Sequence, residues 1–142
     1  MIAIGSDHGG FELKEKVVAH LKERGFEVKD FGTYDKGSCD YPVFGRAVAK
    51  SVAAGEAEKG IVICTTGLGI SMTANKVKGI RCAVCADTVS AKLTRLHNDA
   101  NVLSMGAGII GENLAISIVD TFLDTAFSGE ERHQRRIDQI EE

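Results

Sequence analysis

Residues 60–71 of this chain read GIVICTTGLGIS. An apolar run ends in Cys64, two threonines and a loop that contains Gly67 and Gly69. A short apolar run that ends at a glycine loop predicts a buried strand, and residues 69–77 predict a short helix after it. Strand–loop–helix units of this kind build parallel sheets. The stretch therefore predicts an α/β fold.

The rest of the chain repeats this alternation of apolar runs with amphipathic segments. Strands are predicted at residues 1–4, 26–31, 61–64, 81–86 and 102–105, and helices at residues 10–24, 42–54, 69–77, 88–96, 111–126 and 130–140. Five strands, each followed by a helix, predict a three-layer α/β/α sandwich around a five-stranded parallel sheet, a Rossmann-like fold. We expect one domain over residues 1–142, with a basic helical tail from about residue 129.

Apolar spacing also predicts which face of each helix packs on the sheet. In the first helix the charged residues, Lys14 among them, fall mostly on the face opposite the apolar one. In the helix at 111–126, Leu114 is predicted to point inward together with Ile118 and Phe122.

Composition and charge exclude several classes of protein. Hydrophobic residues make up 44% and charged residues 26% of the chain, as in ordinary globular proteins. The net charge of −3 and the lack of a basic stripe before the tail argue against a nucleic-acid partner. No apolar run reaches the length of a membrane span, and the first residues do not resemble a signal peptide. We therefore expect a cytoplasmic protein with no membrane partner.

The chain has four cysteines, including a C-x-x-C pair at Cys82 and Cys85. That spacing occurs in redox and zinc sites. Here it lies within a predicted strand, where residues three apart point to opposite faces of the sheet. We therefore interpret both thiols as reduced, small core residues, and we predict no metal site.

The segments that follow the strands carry the candidate chemistry, because ligands of open α/β sheets bind at the carboxyl ends of the strands. Backbone N–H groups of residues 67–71 are predicted to line the start of a helix, where unpaired donors attract anions. The same donors favour the thiolate of Cys64, which can then attack a substrate or remove a proton from carbon. Position alone leaves a structural role for Cys64 open.

Three further polar groups are candidates by position. They are Asp7 and His8 after the first strand, His97 and Asn98 after the fourth helix, and Arg132 and Arg136 in the tail. The two arginines are four residues apart, so on a helix they share a face and can hold a phosphate. Each group also fits an ordinary solvated surface.

A nucleotide site is the weaker alternative. A dinucleotide-binding fingerprint needs a third glycine where this chain has Met72, although Asp87 lies at a suitable distance to bind a ribose. The chain also has no room for a separate substrate domain.

Several short motifs follow one another along almost the whole chain. They are GSDHGG at 5–10, DFGT at 30–33, DYP at 40–42, GIVIC at 60–64, TGLGIS at 66–71, ANK at 74–76, GIR at 79–81, HNDAN at 97–101 and RH at 132–133. Together they resemble the type B ribose-5-phosphate isomerases and their galactose-6-phosphate and allose-6-phosphate isomerase relatives.

The resemblance implies an aldose–ketose isomerase that uses no metal or organic cofactor. It implies that Cys64 is the base that moves a proton between C2 and C1 of the opened sugar. His97 is implied to open the sugar ring, with Asp7 and Thr66 in supporting roles. The rival interpretation is a sugar-phosphate sensor that keeps the pocket without catalysis, although a binder needs no base.

The resemblance also implies how the substrate, a small sugar phosphate, is held. The implied binding residues are His8, Tyr41, Gly67, Leu68, Gly69, Ile70, Ser71, Asn98, Arg132 and Arg136. The loop amides are implied to steady the enediolate, and His8 with the arginines to bind the phosphate. A site between two subunits is implied, and with it a homodimer or a dimer of dimers.

Two positions bear on the sugar's length. Thr65 stands where the family usually has glycine, and Gly108 stands where many ribose-phosphate members carry an arginine. The five-carbon substrate, ribose 5-phosphate, is our first prediction, and a six-carbon aldose 6-phosphate is the alternative.

Overall fold

The computed structural model describes residues 1–142 and has a five-stranded sheet at its centre. The strands are β1 (Ile2–Ser6), β2 (Val28–Asp30), β3 (Lys59–Cys64), β4 (Cys82–Val84) and β5 (Val102–Gly106). They lie in the order β2-β1-β3-β5-β4, and every neighbouring pair is parallel. The direction of the order reverses between β1 and β3, so the switch point, where such sheets bind ligands, lies at the ends of these two strands.

Six α-helices surround the sheet, five of them packed on its two faces and the last one against the fourth helix. They are α1 (Phe11–Glu23), α2 (Tyr41–Ala53), α3 (Leu68–Ala74), α4 (Thr88–Asn98), α5 (Glu112–Asp124) and α6 (Glu131–Ile140). Buried side chains of α1, α4 and α5 form one core with one face of the sheet, and those of α2 and α3 form a second core on the other face. The predicted three-layer Rossmann-like sandwich is confirmed, with element ends shifted by only a few residues.

The side chains of β3 point alternately to the two faces of the sheet and contribute to both cores. Ile61 and Ile63 join the core under α1, α4 and α5, whereas Val62 and Cys64 join the core under α2 and α3. Successive strand residues point to opposite faces, so this division follows directly from the sequence order. It also sets the face on which the Cys64 sulfur emerges.

The C-x-x-C pair is divided in the same way. Cys82 packs against the α2 and α3 core, while Cys85 belongs to the core under α1, α4 and α5. Burial raises the pKa of Cys82 to about 12 and that of Cys85 to about 11. Both thiols therefore stay protonated at neutral pH; Cys85 is a core residue as predicted, whereas Cys82 is only partly buried.

Two predictions of helix faces are wrong. Lys14 is fully buried rather than solvated, and Leu114 is 39% exposed rather than inward. The Lys14 ammonium lies 2.6 Å from Asp30 Oδ2, close to the rings of Phe11 and Tyr34. A buried charge needs such a partner, and helix periodicity alone does not reveal one sixteen residues away on β2.

The ion pair also anchors the loop that leads to α2. Asp30 Oδ1 accepts a hydrogen bond from the Gly32 amide at 2.8 Å, and the Tyr34 hydroxyl donates to the Asp30 carbonyl at 3.0 Å. The loop enters α2 at Tyr41, so the Lys14–Asp30 pair helps to hold the start of α2 in place.

No helix of this fold has the length and apolar character that crossing a membrane requires.

Replacing Lys14 with Met tests the buried pair. The substitution keeps the apolar stem but leaves the Asp30 carboxylate, whose side chain is 26% exposed, without its cation. We expect the free energy of unfolding to fall by about 3 kcal/mol in urea denaturation, near the lower limit for a fully buried pair.

Lys16→Met is the matched control. Lys16 also faces a carboxylate, Glu112, but at 3.7 Å and with both side chains more than half exposed. Its loss should change stability by less than about 0.5 kcal/mol. Equal effects from the two substitutions would contradict the role assigned to Lys14.

Candidate active site

The site begins where β3 ends at Cys64. The Cys64 side chain is 5% exposed, and its sulfur accepts a hydrogen bond from the Gly67 amide at 3.1 Å. Gly67 has φ +78°, a left-handed conformation that favours glycine. The tight turn it permits directs this amide back at the sulfur just before α3 begins.

The loop after β5 holds the Cys64–Thr66 segment from one side. The Ala107 amide donates to the Cys64 carbonyl at 2.9 Å, and the Gly108 amide donates to the Thr65 carbonyl at 2.8 Å. The first of these bonds completes the parallel ladder at Cys64, and the second extends the contact to the turn after β5. The backbone that presents the sulfur is therefore fixed by a neighbouring strand's loop.

A cleft of about 280 Å³ opens beside the sulfur. Its lining residues are Asp7, Tyr41, Cys64, Thr65, Thr66 and Gly69. A β-carbon at Gly69 would lie 2.5 Å from the Tyr41 ring, so only glycine lets that ring approach the start of α3 so closely. The structure thus brings five predicted site residues to one cleft, together with Thr65.

Of the backbone amides predicted to bind an anion, some already donate to protein atoms and others do not. The Gly67 amide is used by Cys64, and the Leu68 amide donates to Thr66 Oγ1 at 3.2 Å. Gly69 and Ile70 follow in the first turn of α3, where amides have no partner within the helix.

Two of the predicted binding residues do not present side chains to the cleft. The Ile70 side chain is fully buried, and Ser71 Oγ donates to the Leu68 carbonyl at 2.7 Å. Only the Ile70 backbone amide, in the first turn of α3, fits the predicted role, because the Ser71 amide already bonds within the helix.

Two polar residues precede the cleft on the β1 side. Asp7 is 6% exposed, and its Oδ1 accepts from the Gly10 amide at 3.0 Å, which caps a single 3₁₀ turn. His8 is exposed, and its Nδ1 accepts from the Cys39 amide at 3.2 Å. Because an amide can only donate, the ring proton of a neutral His8 lies on Nε2, the nitrogen left free for a ligand.

The remaining predicted residues form a second cluster. His97, Asn98, Arg132 and Arg136 line a separate cleft of about 350 Å³. His133, which follows Arg132 in the sequence but was not a predicted site residue, belongs to this cluster, with its ring centroid 4.5 Å from that of His97.

The His133 ring is buried, and its surroundings favour the neutral form. It is 6% exposed, with Nδ1 2.7 Å from Ser128 Oγ. Burial, and then the nearby charge of His97, lowers the pKa of His133. Arg132 Nε donates to Glu130 Oε2 at 2.8 Å, so one predicted phosphate ligand is already paired with a carboxylate.

A clamp of two arginines fixes the chain just after His97. Arg81 donates to the carbonyls of Asn98 and Asp99, both at 2.9 Å, and Arg95 Nη1 donates to Asp99 Oδ1 at 2.7 Å. Asp99 is the only non-glycine residue with positive φ, at 44°. The clamp offsets the cost of this conformation and orients the end of α4.

A single chain does not bring the two clusters together. Cys64 is at the carboxyl end of β3, whereas α4 runs back along the sheet and ends beside Arg81, just before β4 begins. The six residues of β3 span about 20 Å between these edges. No residue lines both clefts, and no group of three or more His, Cys, Asp or Glu side chains is arranged to hold a metal ion.

Comparison with known proteins agrees with this architecture. Residues 2–140 match the model of the family described as Ribose/Galactose Isomerase. The chain is 51% identical over 139 residues to ribose-5-phosphate isomerase B of Escherichia coli, covering 98% of this chain and 93% of that protein. It is 42% identical over 142 residues to a galactose-6-phosphate isomerase subunit of Clostridium acetobutylicum, covering 100% of this chain and 82% of that protein.

The fold of this chain is as similar to solved structures as its sequence is to its relatives. The solved structure of Clostridium thermocellum ribose-5-phosphate isomerase B superposes with a TM-score of 0.97 at 54% identity, covering 99% of this chain and 94% of that one. The matches extend through both clusters and the tail, from β1 to α6. By sequence and by structure, this chain belongs to the ribose/galactose isomerase family.

Proposed function

We propose that the protein interconverts ribose 5-phosphate and ribulose 5-phosphate, with Cys64 as the base. The observation that carries the proposal is the Cys64 sulfur, which lines an open cleft at the switch point of the sheet while an amide points at it from 3.1 Å. The relatives that support the five-carbon substrate are the isomerases of E. coli and C. thermocellum, at 51% and 54% identity.

The proposed reaction moves two hydrogens. Cys64 takes the proton from C2 of the open-chain aldose, and the electrons form an enediolate with negative charge on O1. The proton then returns to C1, while the O2 hydroxyl proton is transferred to O1 as the ketose carbonyl forms at C2. Thr66 and Asp7, which share the cleft, support these oxygens by hydrogen bonding.

Preorganised donors supply the main stabilisation of the enediolate. In the proposed mechanism the Gly69 and Ile70 amides, unpaired in the first turn of α3, donate to the developing negative charge without having to reorganise, an effect worth about 3 kcal/mol per donor in comparable oxyanion sites. The steps require only proton transfer, which these protein groups perform without a metal or an organic cofactor. We place the reaction in the cytoplasm, where free thiols stay reduced.

The second half of the site comes from a second copy of the chain. His97 opens the sugar ring, and His8, Arg132 and Arg136 hold the phosphate, yet His97 and the arginines lie at the far edge of the sheet from Cys64. A two-fold symmetric homodimer completes both sites at once, because each subunit lends its His97 cluster to the other's cleft. Exposed apolar side chains on α3 and α4 supply contact surface: Leu68, Met72, Val89 and Leu93.

A six-carbon aldose 6-phosphate is the second candidate substrate. It is supported by the match to the galactose-6-phosphate isomerase subunit and by Gly108, which places no cationic side chain beside the cleft. Turnover of ribose 5-phosphate, allose 6-phosphate and galactose 6-phosphate by one preparation decides between them. A higher kcat/KM on either hexose phosphate would overturn the five-carbon assignment.

Cys64→Ala tests the base. We expect kcat for ribose 5-phosphate to fall by at least about 10³-fold, because general-base catalysis contributes this order of rate enhancement. KM should change little, since the phosphate ligands remain. Cys85→Ala is the control, because that buried thiol belongs to the opposite core and its loss should leave kcat nearly normal. Near-normal turnover by Cys64→Ala would refute the assignment.

Subunit mixing tests the shared site. Cys64→Ala and His97→Asn are each expected to be inactive as homodimers. After unfolding and refolding together, half of the dimers are hybrids with one intact site, so activity should recover to about a quarter of the unaltered value. Refolding each variant alone controls for reactivation. If the mixture shows no recovery while both variants refold as dimers, Cys64 and His97 act within one chain.

A further inference from the structure

Thr65 follows the proposed base and forms part of the cleft wall, but the mechanism above does not use it. Its side chain is inserted between two glycines on different loops. A β-carbon at Gly9 would lie 2.2 Å from Thr65 Oγ1, and a β-carbon at Gly108 would lie 3.0 Å from Thr65 Cγ2. Both branches of the side chain therefore contact backbone from the loops after β1 and β5.

Thr65 is exposed to solvent, but these contacts limit the rotamers that its side chain can adopt. Threonine is already restricted at χ1 because two heavy atoms branch from its β-carbon. Here the hydroxyl branch rests against Gly9, and the methyl branch rests against Gly108. The Thr65 carbonyl is also fixed by the Gly108 amide at 2.8 Å. Thr65 thus gives the cleft a rigid wall immediately beside Cys64.

The same contacts link positions 65 and 108. Any side chain at position 108 would begin 3.0 Å from the Thr65 methyl and 3.1 Å from the Thr65 carbonyl oxygen. Contacts this short require a shift of the neighbouring loop. Gly108 and Thr65 are therefore packed together. The Thr65 side chain, after β3, occupies space that a side chain at position 108, after β5, would need.

A rigid wall matters because the proposed site fixes both ends of the sugar. The reacting carbons lie at Cys64, and the phosphate is bound by its own ligands. A six-carbon aldose 6-phosphate places one more CHOH unit between the reacting carbons and the phosphate than ribose 5-phosphate does. With both ends held, the longer sugar has to bow sideways, and Thr65 limits the space for this beside Cys64.

We propose that Thr65, held between Gly9 and Gly108, is a specificity-determining residue that favours five-carbon over six-carbon sugar phosphates. This inference rests on the proposed function and deepens it, because it assigns substrate length to one side chain. The discriminating property is the volume of the side chain rather than its hydroxyl group.

The kinetic test compares the ratio of kcat/KM for ribose 5-phosphate to kcat/KM for allose 6-phosphate. Thr65→Ala removes both branches and should lower this ratio by about tenfold, the effect of roughly one methyl-sized group in a shaped pocket. Thr65→Val keeps both branches and should leave the ratio near that of the unaltered protein. Thr121→Ala, on the exposed side of α5, is the control and should not change it.

Two results would overturn the specificity claim while leaving the proposed function intact. One is turnover by Thr65→Ala with an unchanged ratio. The other is a fall in the ratio for Thr65→Val as large as that for Thr65→Ala, which would show that the hydroxyl decides. Absence of turnover by the unaltered protein on both sugars would overturn the proposed function, and the specificity claim with it.

A thermal double-mutant cycle tests the packing without any substrate. Gly9→Ala should lower Tm by several degrees, because its new β-carbon meets Thr65 Oγ1 at 2.2 Å. In the Thr65→Ala background the same β-carbon meets Asp7 Oδ1 at 3.4 Å and the residue 65 β-carbon at 3.5 Å, both ordinary contacts, so most of that loss should disappear. Additive Tm changes would show that Thr65 is not held by Gly9, and would overturn the rigid-wall argument.

Discussion

The Gly67 amide points at the Cys64 sulfur from 3.1 Å, and the geometry of the whole cleft depends on the turn that makes this contact possible. The turn requires a left-handed residue with no side chain, because a β-carbon at Gly67 would lie 2.8 Å from the carbonyl carbon of Met105 on β5. Ser104 Oγ then fixes the Gly67 carbonyl at 2.6 Å inside the protein. The turn, the sulfur and β5 are therefore a single packed unit.

The direction of the secondary-structure elements explains why the proposed site needs two subunits. Residues at the carboxyl ends of parallel strands, such as Asp7 and Cys64, meet at one edge of the sheet. Residues at the ends of the following helices, such as His97, return to the opposite edge. In the proposed dimer the carboxyl end of β3 in one subunit meets the His97 cluster of the other, and activity would therefore depend on assembly.

The sequence predicted the fold and the Cys64 cleft because both follow from local rules. Apolar runs with glycine loops specify parallel strands, and the strand-end rule places Asp7, Cys64 and Thr66 together. It did not predict the burial of Lys14, because the partner, Asp30, is distant in sequence. Nor did it foresee the packing of Thr65, which depends on glycines in two other loops. His133 carried a usable signal, its place beside Arg132, but only the contact with His97 reveals its cluster.

The most direct test of the central claim follows the hydrogen that Cys64 is proposed to move. Ribose 5-phosphate is isomerised by the unaltered protein in D₂O, and NMR measures deuterium at C1 of the ribulose 5-phosphate as it first forms. A thiol exchanges its hydrogen with solvent, so the account predicts deuterium at C1. Complete transfer of the C2 hydrogen to C1, with no solvent deuterium in the product, would contradict a Cys64 thiol in exchange with solvent as the carrier of that hydrogen.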